Sequence, residues 1–301
     1  MNPTTRRVIK LALPTSFITT LLIGCSNTIS SSGKQNEDYR KPEGSRSLPI
    51  EKYLLSNDEE LILEKAKYSA ARSCMERLEA RFPPPAHREP FKLQMTERRY
   101  GITNRDEAKI HGYRVPAAGK ASSTTEEEPL THKQLRALFG VEQGKEKGVA
   151  KVSHINGKPI PEGGCMGEAE RNLSNRQRVY GDGRLAMNIS QRSFKKSSSD
   201  PRVRRAIEKW SSCMERNGHP YENPLTAGED LMNGRSASEQ ERKVATIDSD
   251  CNREAKVAKT WFDVESDIQN GLIADHEKEL DELNQIKKRE IVNSRKELQI
   301  S

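Results

Sequence analysis

The pentapeptide Ser73-Cys74-Met75-Glu76-Arg77 returns letter for letter as Ser212-Cys213-Met214-Glu215-Arg216. Downstream of each copy, Cys165-Met166-Gly167-Glu168-Ala169 and Cys251-Asn252-Arg253-Glu254-Ala255 share the pattern Cys-x-x-Glu-Ala. Self-similarity of this kind marks related structural units, and here the repeated residues are ones that can crosslink. Alternative connectivities exist for such a set. The simplest one that respects the repeat has each unit stapling its own pair of helices, Cys74 to Cys165 and Cys213 to Cys251. On the chain-entropy account, closing loops of 91 and 38 residues stabilises by about 5 and about 4 kcal/mol.

Terms of that size matter in this chain. Only 33% of its residues are hydrophobic and 32% are charged, so one large core across 301 residues is not expected. The expected fold is mainly α: an elongated helical domain with two disulfide-stapled units, a long C-terminal helix and at most a minor β-hairpin.

The remaining cysteine, Cys25, stands in a different setting. Arg6, Arg7 and Lys10 precede the apolar run from Leu11 to Ile23, the charge-then-apolar order of an export signal. A membrane span needs about 20 predominantly apolar residues. This run is shorter and is interrupted by Pro14 and hydroxyl residues, so it reads as a signal. It ends in Leu22-Ile23-Gly24-Cys25, which resembles the lipobox of bacterial lipoproteins. That resemblance implies cleavage before Cys25 and a diacylglycerol on its thiol, an anchor of two chains where one does not suffice. Loss of the three leader charges lowers the formal net charge from +7. The small excess left suits an anionic membrane or wall polymer and is not a nucleic-acid footprint. An exported address makes disulfides the default state of Cys74, Cys165, Cys213 and Cys251.

The expected organisation is a signal peptide at 1–24 and a lipidated N-terminus with flexible tether at 25–49. A first stapled unit with loop insertions follows at 50–196, then a second helical unit at 197–301. The tether is polar, with Ser30-Ser31-Ser32-Gly33, and a coil of its length reaches roughly 27 Å r.m.s.. Ser56 with Glu59 predicts a capped helix to about Arg81, ahead of Pro83-Pro84-Pro85. Thr103 is the expected cap of a short helix closed by Gly112, and Thr131 with Gln134 of another closed by Gly140. The stretch from Ala117 to Pro129 has loop composition. Val149 to Ile160 is the one strand-like segment, with a turn at Asn156-Gly157. A helix is expected from Cys165 to about Tyr180, Ser197-Ser198-Ser199 as a linker, and Asp200-Pro201 as a helix start.

From Ala237 to Gln299 the chain has no proline. Val244, Ile247, Cys251, Ala258, Trp261, Ile268, Leu272, Leu280, Leu283 and Ile291 fall near one stripe. Unbroken, this helix would run roughly 90 Å, with a bend expected at Asn270-Gly271. Acidic charge between Asp275 and Glu282 and basic charge at Lys287, Lys288, Arg289, Arg295 and Lys296 suit a helical neighbour in coiled-coil style. That neighbour is another copy, another protein or the chain's own N-terminal helix.

Cys74, Cys165 and Cys213 each precede methionine, a soft-ligand set for Cu(I), yet no short Cys-x-x-Cys or His-x-x-x-His spacing accompanies them. Ser193-Phe194-Lys195-Lys196 matches Ser-x-x-Lys but lacks its partner motifs. Gly181-Asp182-Gly183-Arg184-Leu185-Ala186 mimics a dinucleotide fingerprint without a preceding buried strand. A solute-binding protein would need successive β-α units, and 5% aromatic content leaves little for a sugar-stacking cleft.

The lipobox at Cys25, Tyr100-Gly101-Ile102-Thr103, His111-Gly112-Tyr113, Pro161-Glu162-Gly163-Gly164-Cys165 with Glu168-Ala169, Trp210 with Cys213-Met214, and Trp261-Phe262 with Glu265 together resemble a group of secreted actinobacterial lipoproteins of unknown function. The likeness spans residues 60 to 290. It implies an architecture and an address, since that group has no established activity. The expectation is a non-enzymatic, membrane-anchored structural or binding protein of the cell envelope, without cofactor or metal. Its partner would be an envelope protein, a wall polymer or a second copy. The competing expectation is an envelope enzyme or wall-processing factor, which would need a concave site gathering polar residues.

Overall fold

The computed structural model describes residues 46–82, 98–115, 129–143, 149–181 and 183–300. The signal, Cys25, most of the tether, the Pro83-Pro85 stop and the loop from Ala117 lie outside the described residues. Among the described residues the chain is mainly helical, with two disulfides and short strands.

Helix α1 spans Asn57–Arg77. Its start follows the capping reciprocity read from the sequence: Ser56 Oγ accepts from the Glu59 N–H at 3.2 Å, and the Glu59 carboxylate accepts from the Ser56 N–H at 2.9 Å. It stops short of Arg81 because Glu79 takes a left-handed backbone, φ 53°. Helix α2, Arg105–His111, is capped by Asn104 and not by Thr103. The Asn104 amide oxygen accepts from the N–H groups of both Asp106 and Glu107, at 3.1 and 3.2 Å, two orphan donors satisfied by one side chain. Helix α3, His132–Phe139, has the Thr131 and Gln134 cap and ends on Gly140. Helix α4, Gly164–Leu173, ends before Tyr180 because Asn175 and Arg176 are consecutive left-handed residues.

Helix α5, Arg184–Ser198, replaces the expected serine linker. Helix α6, Pro201–Arg216, starts at Asp200-Pro201 as expected, with Asp200 accepting from the Arg202 N–H. The C-terminal stripe is divided into α7, Glu239–Ala255, α8, Val257–Ala274, and α9, Glu277–Ile300. The breaks fall at Lys256, φ 57°, and at Asp275-His276. Asn270-Gly271, the expected bend, lies inside α8 and is helical. Lys256 turns the chain because the buried Asn252 reaches across it, its Oδ1 accepting from the Ala258 N–H at 3.1 Å and serving the new helix as a remote cap.

Strand β1, Val141–Gln143, pairs antiparallel with β2, Val149–Lys151. Strand β3, His154–Ile155, pairs with β4, Lys158–Pro159, about the expected Asn156-Gly157 turn. The described residues therefore hold two small ribbons where one was anticipated.

The Cys74–Cys165 bridge joins α1 to α4, and Cys213–Cys251 joins α6 to α7, the pairing that the repeat predicts. Helices from the two sides of residue 196 nevertheless pack on one another. Helix α2 lies on α7, α5 on α8, and α9 on α1. The neighbour of α9, the last part of the C-terminal stripe, is therefore the chain's own N-terminal helix. Leu280, Leu283, Ile286 and Ile291 are buried there. Lys287 is 7% exposed and donates to the carbonyls of Lys52 and Leu54, at 2.9 and 2.8 Å, closing the 3-10 turn Pro49–Tyr53. Leu48 and Ile50 are buried in the same cluster, so the packed chain begins by Arg46 and not at residue 50. They are the apolar residues nearest the polar tether, and burying them is the favourable place for them. No described helix is long and apolar enough to cross a membrane.

Candidate functional site

Of the residues that the sequence singles out, Cys25 lies outside the described part, and the other four cysteines are consumed in the two disulfides. Among the described residues no group of acids, histidines and cysteines is placed to hold a metal ion. Ser193 and Lys196 do not meet. Ser193 is buried and donates to Glu265 at 2.9 Å, while Lys196 faces solvent.

What the fold does bring together is a set of polar side chains on α7 and α8. Glu265 is fully buried. Arg99 meets it with two N–H groups, at 3.0 and 2.6 Å, and Tyr100 Oη, Ser193 Oγ and Gln269 Nε2 donate to it at 2.9, 2.9 and 3.1 Å. Gln269 in turn accepts from the Ile50 N–H at 3.1 Å. A buried carboxylate is costly unless its lone pairs are all used, and this one is saturated. The Tyr100 hydroxyl is raised well above its usual range by burial and by the adjacent Glu265. It stays a neutral donor.

A second constellation lies on α7. Asp248 is buried and accepts from Trp210 Nε1 at 2.7 Å and from the Tyr113 hydroxyl at 3.1 Å. Burial pushes its carboxyl up to about 7, against the pull of those two donors and of Arg98. Two turns earlier, the buried Glu241 accepts from the Tyr113 N–H at 3.2 Å and from Arg114 at 3.3 Å. Gly112 has φ +61°, and a Cβ there would lie 2.7 Å from Glu241 Oε1, so the chain approaches this acid only through a glycine. Gly164, next to Cys165, makes a comparably close approach: with φ +68°, a Cβ there would lie 2.3 Å from the Leu138 carbonyl oxygen.

Tyr113 also lines a shallow cavity of about 150 Å³ with Arg98, Ile102, Pro224, Leu225 and Met232. Arg98 and Glu229 stand among its apolar lining, and Asp248 is not part of the wall.

Tyr100, Tyr113, Trp210, Trp261 and Glu265 surround one core, whereas Cys165 and Ala169 lie in the separate cluster around the first disulfide. Sequence reasoning found these residues as motifs and missed their roles. It missed Asp248, Glu241 and Arg99 altogether, and it read Ser193 as the serine of Ser-x-x-Lys and Ser197 as linker where both are buried hydrogen-bond partners. The signal available for Asp248 and Glu241 was acids on the apolar stripe of a helix. The architecture is that of a disulfide-stapled helical protein whose buried acids bind its own helices together. Compared with known protein families, characterised proteins and solved structures, the chain matches none.

Proposed function

We propose that this chain is an extracytoplasmic lipoprotein, held to the membrane through lipid on Cys25 and acting as a non-enzymatic binding or structural protein of the cell envelope. The observation that carries this reading is Leu22-Ile23-Gly24-Cys25 placed directly behind a basic and then apolar leader. The two disulfides support it, since such bridges persist in oxidising compartments. The resemblance to secreted actinobacterial lipoproteins points the same way. The choice of a binding role over catalysis is supported by the employment of Glu265, Glu241 and Asp248, each engaged by neighbouring side chains in joining helices.

The test is expression of the chain and of Cys25→Ala in a bacterial host fed labelled palmitate. The wild type should carry label and fractionate with membranes, and the variant should carry none and keep its leader. Equal labelling of both would sink the anchoring. A mature wild-type chain without lipid would leave only export standing.

A further inference from the structure

Between Arg184 and Lys209 the chain carries eight Lys and Arg residues against Asp200 and Glu208, an excess of six set beside +7 for all 301 residues. This stretch is the α5–α6 hairpin, and the fold sorts its two faces cleanly. Ser193, Ser197, Val203, Ala206 and Trp210 point inward, where Ser193 donates to Glu265 and Ser197 accepts from Trp261 Nε1 at 2.8 Å. Arg192, Lys195, Lys196, Arg204, Arg205 and Lys209 are all exposed. None of these six forms an ion pair among the described residues, whereas Arg202 is tied to Asp200 at 3.0 Å.

The hairpin gathers like charge on one face. Asp200 caps α6 and pairs with Arg202, but Arg204 and Arg205 stand close behind near the positive end of the helix dipole, where cations are disfavoured. Lys195 and Lys196, placed favourably at the end of α5, lie across the turn from them. Like charges gathered this way are relieved by an anionic surface.

The position of the patch relative to the chain's entry narrows the choice of surface. The Arg46 guanidinium lies over the Phe262 ring of α8, 5.6 Å from its centre. The next residues of α8 along from it, Asp263 and Asp267, act on Arg202 of the hairpin. Arg46, where the described residues begin, therefore lies beside the basic hairpin, on the same stretch of α8. On the lipoprotein reading, lipid on Cys25 brings this face to headgroups at high effective concentration.

We infer that the exposed cations of the α5–α6 hairpin form a second membrane contact, which lays the folded part on anionic phospholipid headgroups. This deepens the lipoprotein reading and rests on it for the choice of surface. Basic residues at an anionic bilayer act additively and are screened by salt.

Residues 41–301 form one compact unit that contains both disulfides, and this fragment carries no lipid, so it isolates the contact. Its binding is measured by cosedimentation with vesicles of phosphatidylglycerol mixed with phosphatidylcholine, and with phosphatidylcholine alone. The fragment should bind only the anionic vesicles and release in high salt. Replacing Lys195, Lys196, Arg204 and Arg205 with Gln should weaken binding about fivefold per charge removed. The same loss of charge at Lys65, Lys243, Lys278 and Lys288, also exposed but on α1, α7 and α9, should change it far less. The charge-keeping set K195R, K196R, R204K and R205K should bind as wild type, which separates lost charge from a damaged hairpin.

Equal binding to both vesicles overturns the inference, as does equal weakening by the two Gln sets. Binding of a soluble glycerol-phosphate polymer through these residues, with no vesicle binding, would move the surface to the wall and also overturn it. No acyl group enters this assay, so its failure leaves the Cys25 labelling result standing, and the reverse holds too.

Discussion

The two copies of Ser-Cys-Met-Glu-Arg end in unlike surroundings. Around Cys74 and Met75 the core is built from small residues, Ala70, Ala71, Ala80, Ala137 and Ala169, with Leu78, Leu138 and Ile155. Around Cys213 and Met214 it holds Trp210, Trp261, Tyr100 and four valines, with Asp248 and Glu265 bound into the wall by hydrogen bonds. The first core buries little apolar area per residue and closes a long loop. The second has large side chains and a saturated polar network. The same local sequence thus serves two different economies of stability, one covalent and one packed.

The comparison breaks most readily at the bridges. Cys74→Ala with Cys165→Ala should cost about 5 kcal/mol, and Cys213→Ala with Cys251→Ala about 4 kcal/mol. Denaturant midpoints give the totals. Hydrogen exchange should show α1, α3 and α4 opening ahead of the rest in the first variant, whereas the Trp210 region keeps protection in the second. A second-bridge variant less stable than the first would reverse the assignment.

Next comes the buried pair that distinguishes the second region. Glu265→Gln leaves Arg99, only 16% exposed, without its counter-charge, and should cost about 3 kcal/mol. The exposed pair Arg216 with Glu254 is the control, and Glu254→Gln there should stay within about 1 kcal/mol. Similar costs for both would mean that the polar network carries no special weight.

A smaller effect has a sign fixed by linkage. Asp248 titrates near 7 when folded, raised by burial from an ordinary value near 3.8. The folded state therefore holds this proton more tightly than the unfolded chain. This group's contribution is complete below about pH 4 and declines as pH rises to about 7, then levels off. Asp248→Asn should remove that decline in urea midpoints measured across the range. Identical pH slopes in both proteins would contradict it.

The smallest expected change sharpens the first region. Ser56→Ala removes the cap of α1 and should cost about 1 kcal/mol, and in a thin core that loss should also appear as local fraying of α1.

The predicted features that survive are those decided within a few residues. Ser56 with Glu59, Thr131 with Gln134, and Asp200-Pro201 start helices because capping is a bond between near neighbours. Asn156-Gly157 makes its turn for the same reason. The repeat extended that reach to the disulfides, because two copies of one pattern constrain each other across the chain. The serines of α5 show where local reading stops. Ser197 looks like linker composition and Ser193 like the serine of Ser-x-x-Lys, yet both face inward because Trp261 and Glu265 need partners there. The C-terminal stripe likewise carried no mark of its breaks. Lys256 adopts φ 57° only because Asn252 reaches Ala258, and α9 turns back to bury Leu280 and Ile291 near Leu54 and Leu63. The sequence by itself determined the helical class, the helix starts and the disulfide pairing, which depend on local bonds and a repeated pattern. Only the tertiary structure decided which side chains meet around Asp248 and Glu265, because burial creates their need for partners and burial is a property of the whole fold.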